Sequence, residues 1–337
     1  MDESPWEFES PRSHPAPGRW PTTPPAVPDG PGAAPGPAAS GADAAAVDLE
    51  DAHRRAGPPT LDAVLGSLAL EAVADGVYSG PSVAIGTGRI FGGQVLGQVL
   101  VAAASAVPAK QVKSISVQFA RDGVAPDPVV LEVAVLHEGG TFATCDVRVR
   151  QEGRVLAVGI VSLHVPGEGP EQQAAVLAAP DPDAAPALEL PMIPCETRVV
   201  GGVQLRDETI GPAEFAFWMR APSLADTPPA VHQALFAYAS DLTPIATALR
   251  PLPGLSQRSS HRTVQTATTG HSVWFHDALD LTDWVCLQQT APVTGAGRTF
   301  GWGHGFARDG RAVASYAQDA MVRWLTANPG RVARTKD

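Results

Sequence analysis

Gln151-Glu152-Gly153-Arg154-Val155-Leu156-Ala157 and Arg308-Asp309-Gly310-Arg311-Ala312-Val313-Ala314 are two versions of one turn. Each runs polar residue, acid, glycine, arginine, and then enters an apolar stretch. An acid–Gly pair between apolar runs signals a hairpin, since glycine tolerates the left-handed backbone that tight turns demand. The recurrence predicts a duplicated unit, and each copy of the turn feeds a long final strand.

Outward from the first turn, strands are expected over residues 112–119, 129–136, 142–150 and 154–165. Asp122-Gly123, Gly139-Gly140 and Glu152-Gly153 punctuate them. Cys145, Val147 and Val149 alternate with Asp146, Arg148 and Arg150, which describes a strand with one wet face. Upstream, Phe91-Gly92-Gly93-Gln94 opens an apolar helix reaching about Val107, stopped by Pro108. A short helix is signalled by Leu61, Leu65, Leu68 and Ala72, and Gly80, Gly86 and Gly88 mark an extended, turning segment.

Outward from the second turn the same order returns. A strand over 214–221 precedes a helix from about Val231 to Leu249, with Thr227 as candidate N-cap and Pro228-Pro229 at its start. Pro244 predicts a break inside that helix. Strands follow over 264–275, 284–290, 298–306 and 311–323. Each unit is therefore one long helix and an antiparallel meander. One helix on a short sheet leaves apolar surface and strand edges uncovered, so the two units should pair.

Composition supplies the boundaries. The 337-residue chain is 44% hydrophobic, enough for a large core. Prolines crowd residues 1–59, and that stretch has too few large apolar residues to offset its ordering entropy, so it reads as a disordered tail. The expected modules are 60–166 and 193–326, joined by a Pro-, Ala- and acid-rich linker over 167–192, with a flexible end over 327–337. The net charge of −11 and the lack of a basic run argue against nucleic-acid or anionic-membrane partners, while leaving room for a local basic pocket. The N-terminus has the wrong composition for a signal peptide. The longest apolar stretch, 95–107, is too short to span a bilayer. Cys145, Cys195 and Cys286 are odd in number and far apart, which suggests no disulfide framework and a reducing cytoplasm.

Two polar residues, Asp241 and Gln318, fall beside or on the apolar faces of the second copy. Asp241 flanks the apolar stripe Val231, Leu235, Tyr238, Leu242, Ile245 and Leu249, and a carboxylate there needs hydrogen-bond partners. By position alone, an exposed flank acid or a cap at the break before Pro244 accounts for it at least as well. Gln318 alternates with Ala314, Ala320 and Val322 on the apolar face of the final strand, and the aligned position in the first unit is Val161. A satisfied core amide explains that glutamine too. Thr268 is one hydroxyl of many in Gln265-Thr266-Ala267-Thr268-Thr269, ordinary for a strand. His271, His276 and His304 show no metal-ligand spacing, and neither a nucleophile elbow nor a phosphate or dinucleotide loop is present.

Together these stretches resemble the type II acyl-CoA thioesterase family. Phe91-Gly92-Gly93-Gln94 is similar to its first half. Tyr238-Ala239-Ser240-Asp241-Leu242, the segment from Ala267 to His276, and Ala314-Ser315-Tyr316-Ala317-Gln318 are similar to its second half, in order over about residues 61–325. The resemblance implies an α+β double hotdog, two fused modules each a long helix wrapped by an antiparallel sheet. It implies hydrolysis of acyl-CoA to fatty acid and CoA, with Asp241, Thr268 and Gln318 positioning the attacking water, and no cofactor or metal. Gly92, Gly93, Gln94 and His271 become the expected substrate contacts, with backbone N–H groups at the glycines facing the developing oxyanion. It further implies a homo-oligomer that does not insert into membranes. The chain departs from the family at Gly270, where Asp is usual, at Ser116, where His is usual, and at Arg121-Asp122-Gly123 in place of Arg-Pro-Gly. Two other readings stand beside hydrolysis: a hotdog dehydratase or hydratase, for which His232 is the one histidine on a long helix, and a non-catalytic acyl-CoA-binding protein. Acyl length, and CoA against carrier protein, stay open.

Overall fold

The computed structural model describes residues 57–85 and 88–325. The tail read over 1–59 lies outside these residues except for its last three, as do Gly86 and the C-terminal end read over 327–337. The first half holds α1 (Leu61–Leu68), β1 (Glu71–Ala74), β2 (Val77–Gly80), α2 (Gly92–Ala106), β3 (Gln111–Phe119), β4 (Val129–Glu138), β5 (Phe142–Gln151) and β6 (Arg154–His164). The second holds β7 (Glu196–Val199), β8 (Glu214–Arg220), α3 (Pro229–Ser240), α4 (Pro244–Leu249), β9 (Val264–Phe275), β10 (Val285–Gly295), β11 (Arg298–Ala307) and β12 (Ala312–Trp324). No helix among the described residues is long and apolar enough to cross a membrane.

All twelve strands join one antiparallel sheet in the order β1-β2-β4-β5-β6-β3-β9-β12-β11-β10-β8-β7. The halves meet where β3 pairs with β9, with Ser116 opposite Ser272 and their hydroxyls 2.8 Å apart. Each half wraps its sheet around its own helix, so the double hotdog expected from the sequence is the fold observed. Helices α2 and α3 are apolar nearly all round, as elements buried on every side must be. They touch through Gly93, where a Cβ would lie 2.4 Å from the Tyr238 carbonyl oxygen, so only glycine permits the approach.

The duplication extends to ladder register. In the first half Ile115 pairs with Val161 and Val112 with Leu163, with a bulge between Val112 and Ser114. In the second half His271 pairs with Gln318 and Thr268 with Ala320, with a bulge between Asp319 and Ala320. The first-half positions are buried and apolar; three of their second-half counterparts, His271, Gln318 and Thr268, are polar, and only Ala320 stays apolar.

Sequence and structure differ at four points. Ala72, expected on the short helix with Leu61, Leu65 and Leu68, lies instead in β1, since the helix ends at Leu68; β1 is only four residues long and fully exposed, so it carries no alternation. Strand β7, equally short, is an element the sequence pattern does not announce. Thr227 is not the N-cap of α3: Pro228 takes that position, and the Thr227 hydroxyl donates to the Leu224 carbonyl at 2.8 Å. The segment 167–192 is a pinned strap. Gln173 bridges the Gly310 carbonyl and the Ala312 N–H at 2.9 and 2.7 Å, and the Trp218 indole donates to the Pro180 carbonyl at 3.0 Å. The strap buries Trp218, Cys286 and Phe306 with Ala185 and Trp284, a second small core. Its many prolines and acids hid the few alanines and leucines that make this contact.

Candidate active site

Pro244 breaks the second-half helix as the sequence predicts, because it has no N–H and its ring clashes with the carbonyl one turn earlier. The result is two helices, α3 and α4, with Asp241 as the C-cap of α3. This places a carboxylate at a backbone break between two apolar helices. It is 4% exposed.

Its partners come from two adjacent strands. Thr268 Oγ1 on β9 donates to Asp241 Oδ1 at 2.9 Å. Gln318 Nε2 on β12 donates to the same Oδ1 at 2.8 Å and to the Asp241 carbonyl at 2.9 Å. The Gly93 N–H, from the first turn of α2, also donates to this side chain. Asp241 therefore ties the helix of one half to the sheet of the other. Burial raises its pKa from 3.8 to about 6, opposed by the hydrogen bonds from Thr268, Gln318 and Gly93. A carboxylate tuned this way is ionised at neutral pH and still basic enough to accept a proton. Thr268 and Gln318 both engage Oδ1. The other oxygen, Oδ2, lies beside Gly92, where a Cβ would come within 2.7 Å.

His271 sits behind this group. Ser240 Oγ donates to the Ala237 carbonyl at 2.9 Å, so it accepts from His271 Nε2 at 2.9 Å and fixes the tautomer with Nδ1 bare. Nδ1 faces Gln318 Nε2 at 3.5 Å. Burial lowers the imidazole pKa to about 3, so the 3.6 Å approach of Nδ1 to Asp241 Oδ1 joins a neutral ring to a carboxylate and is not an ion pair. The ring stacks on Tyr316, with centroids 6.1 Å apart. With its NH2 turned toward Asp241 and His271, Gln318 directs Oε1 elsewhere, and that oxygen has no partner among the described residues.

A cavity of about 530 Å³ opens onto Asp241 and Thr268. Its apolar lining comes from both halves: Ile85, Ile90, Phe91, Val95, Phe119 and Leu156 from the first, Leu242, Ile245 and Ala246 from the second. Its polar wall includes Arg206, Gln257, Arg258 and His261 from the second. Both halves thus build one site.

The structure brings Asp241, Thr268, Gln318, Gly92 and Gly93 together and sends two expected substrate contacts elsewhere. Gln94 is 1% exposed and belongs to the scaffold: its Oε1 accepts from the Val83 N–H at 2.8 Å, and its Nε2 reaches Pro81 O and Gln98 Oε1. His271 is also 1% exposed and off the cavity wall, a consequence of its side chain taking the core-facing register of β9. The two glycines differ in role. Gly93 gives its N–H to Asp241, while the N–H of Gly92, at the first position of α2, has no partner among the described residues, as helix starts dictate. His232 is off the cavity too, with Nδ1 accepting from the Leu281 N–H at 3.0 Å and Nε2 bonded to Thr227 at 3.1 Å. Gly270 is matched by Gln118, whose amide lies 2.8 Å from where a Cβ would stand. Sequence reasoning missed Ser240 and the arginines of the polar wall; adjacency to Asp241 was the only signal for the former.

Comparison with known proteins follows the same two-part division. Residues 79–164 match the acyl-CoA thioesterase N-terminal domain family, and residues 170–322 match the acyl-CoA thioesterase C-terminal domain family. The chain is 28% identical over 277 residues to acyl-CoA thioesterase 2 of Haemophilus influenzae, covering 76% of this chain and 96% of that protein. It is 27% identical over 310 residues to mouse acyl-coenzyme A thioesterase 8, covering 82% and 95%. Among solved structures, an acyl-CoA thioesterase II from Mycobacterium marinum superposes with a TM-score of 0.67 at 28% identity, over 79% of this chain and 100% of that one.

Proposed function

The chain belongs to the acyl-CoA thioesterase family, and from that membership we propose that it hydrolyses acyl-CoA thioesters with a water positioned by Asp241, Thr268 and Gln318. The observation that carries this reading is the Asp241 carboxylate, buried, raised to about 6, and held by three donors on the wall of the cavity.

The acyl chain lies along Ile85, Ile90, Phe91, Val95, Phe119 and Leu156, which brings the thioester carbonyl beside Asp241. A water donates one hydrogen to Asp241 Oδ2 and is steadied by the free lone pairs of Thr268 Oγ1 or by Gln318 Oε1. Asp241 takes that proton as the water oxygen bonds to the carbonyl carbon. The carbonyl π electrons move to oxygen, and the Gly92 N–H faces the resulting oxyanion. A donor of this kind typically contributes about 3 kcal/mol to barrier lowering. Collapse restores the carbonyl and breaks the C–S bond, and the proton held by Asp241 passes to the departing sulfur. The products are a carboxylic acid and a free thiol, with no covalent enzyme intermediate.

The dehydratase reading rests on His232, and that histidine has both ring nitrogens turned into the scaffold, which favours hydrolysis. Thiol release from a series of acyl-CoAs, measured on wild type and Asp241→Ala, tests the proposal. Wild type releases thiol and the variant falls by at least about a thousandfold while keeping its fold. A folded Asp241→Ala variant with near-normal turnover refutes the assigned role.

A further inference from the structure

The polar wall of the cavity is basic in a chain whose net charge is −11. Of its five arginines, Arg89, Arg121 and Arg262 already have partners. Arg89 pairs with Asp122 at 3.2 Å, and Arg121 donates to the Val155 carbonyl at 2.9 Å. Arg206 and Arg258 are different: both are exposed, and neither has an ion pair among the described residues. They stand side by side because the Gln257 N–H donates to the Leu205 carbonyl at 2.9 Å, stitching the 205–206 loop to the one-turn helix Gln257–Ser259.

A second cavity, of about 550 Å³, adjoins the first. The two share a wall of Met192, Arg206, Leu242, Gln257 and Arg258. Beyond that wall the second cavity is lined mainly by Leu190, Pro191, Leu205 and Pro58. The layout along the molecule is thus acyl-sized apolar wall, Asp241, a pair of unpaired arginines, and then a second apolar chamber.

Resting on the hydrolase reading above, we propose that Arg206 and Arg258 bind the phosphates of the nucleotide half of coenzyme A and that the second cavity receives its purine. Guanidinium groups suit phosphate because their forked donors match its oxygens and stay charged at every working pH. The position matters as much as the charge. A ligand crossing this wall needs anionic groups midway and a flat apolar group beyond them, which a nucleotide supplies. A carrier protein bears its arm's single phosphate at its own surface and would leave the second chamber empty.

Calorimetry of the full chain with adenosine 3′,5′-bisphosphate, and kinetics on matched acyl-CoA and acyl-pantetheine, test this. Wild type binds the bisphosphate and turns over acyl-CoA with the higher kcat/KM. In Arg206→Ala/Arg258→Ala the bisphosphate Kd rises about tenfold and the kcat/KM preference for acyl-CoA over acyl-pantetheine falls by a similar factor. Arg206→Lys/Arg258→Lys, which keeps the charge and loses the forked donors, falls between wild type and the alanine variant in both readouts. Unchanged Kd and preference in the alanine variant overturn the assignment, as does a wild type that binds no bisphosphate and prefers an acyl-carrier-protein thioester. If the bisphosphate binds through these arginines yet no thioester is cleaved, the subsite stands and the hydrolase reading fails.

Discussion

Replacing Asp241 with Asn should stabilise the protein while silencing it, and the gain should depend on pH in a calculable way. Burial raises the carboxyl pKa from 3.8 in the unfolded chain to about 6 in the fold. For a group whose folded pKa is raised, the favourable contribution is fully present below 3.8 and is lost as pH climbs through about 6. The difference corresponds to about 3 kcal/mol of strain from the ionised carboxylate at pH 8, of which roughly 1 kcal/mol accrues between pH 5 and pH 8. Asn has the same shape and does not titrate. Every other titrating group is common to both proteins, so the stability difference between variant and wild type isolates Asp241. Urea unfolding of both proteins at pH 5 and pH 8 reads it. The advantage of Asp241→Asn should grow by roughly 1 kcal/mol over that interval. The offset common to both pH values absorbs whatever the Asn amide loses against the Gly93 N–H. Wild-type kcat/KM should show the same ionisation from the other side, flat above pH 7 and down about tenfold at pH 5. A stability difference that is constant with pH, or that moves in favour of wild type as pH rises, refutes the argument that Asp241 is a strained, desolvated base.

Two further outcomes follow from the same geometry. Gly92→Ala places a methyl carbon 2.7 Å from Asp241 Oδ2, so kcat should fall at least about tenfold, with near-wild-type melting showing that the base, and not the fold, was disturbed. Trp218→Ala removes a fully buried indole from beneath the strap and strands the Pro180 carbonyl it satisfied, so urea unfolding should show a loss of about 3–5 kcal/mol.

The sequence carried the fold wherever a residue pattern had enough length to repeat. Strands β3 to β6 and β9 to β12 came from alternation and turn chemistry, and their ends lie within two residues of those observed except for β10, which runs on to Gly295. The break at Pro244 was legible because one residue forbids the helix to continue. Short exposed pieces such as β1 and β7 offered no alternation to read. The strap failed for another reason: its contacts are a few small side chains spread over a segment whose overall composition is that of a linker. In the site, Asp241 and Gln318 were visible as polar residues on apolar faces, whereas Thr268 needed the family resemblance, since a threonine in a strand is unremarkable by itself. Gln94 and His271 were assigned to substrate because motifs record which residues recur and not which way they face.

Ladder register gives that last distinction its physical meaning. The second half has a polar pair, His271 with Gln318, where the first half has Ile115 with Val161, and it has Thr268 where the first has Val112. The same backbone accepts both sets, including a bulge at the equivalent place, so sheet geometry asks for neither. Apolar side chains at these points need no partners, while each buried polar one leaves an unsatisfied group costing about 1–3 kcal/mol unless it is bonded. The second half meets that demand by closing a circuit: Ser240 holds His271, His271 and Asp241 orient the Gln318 amide, and Gln318 with Thr268 holds Asp241. Removing one member would strand the others, which is why these changes cannot be acquired or lost one at a time without cost. The one atom the circuit leaves open, Gln318 Oε1, is an acceptor. A duplicated scaffold with one apolar copy and one polar copy therefore confines its closed hydrogen-bond circuit to the half that carries Asp241.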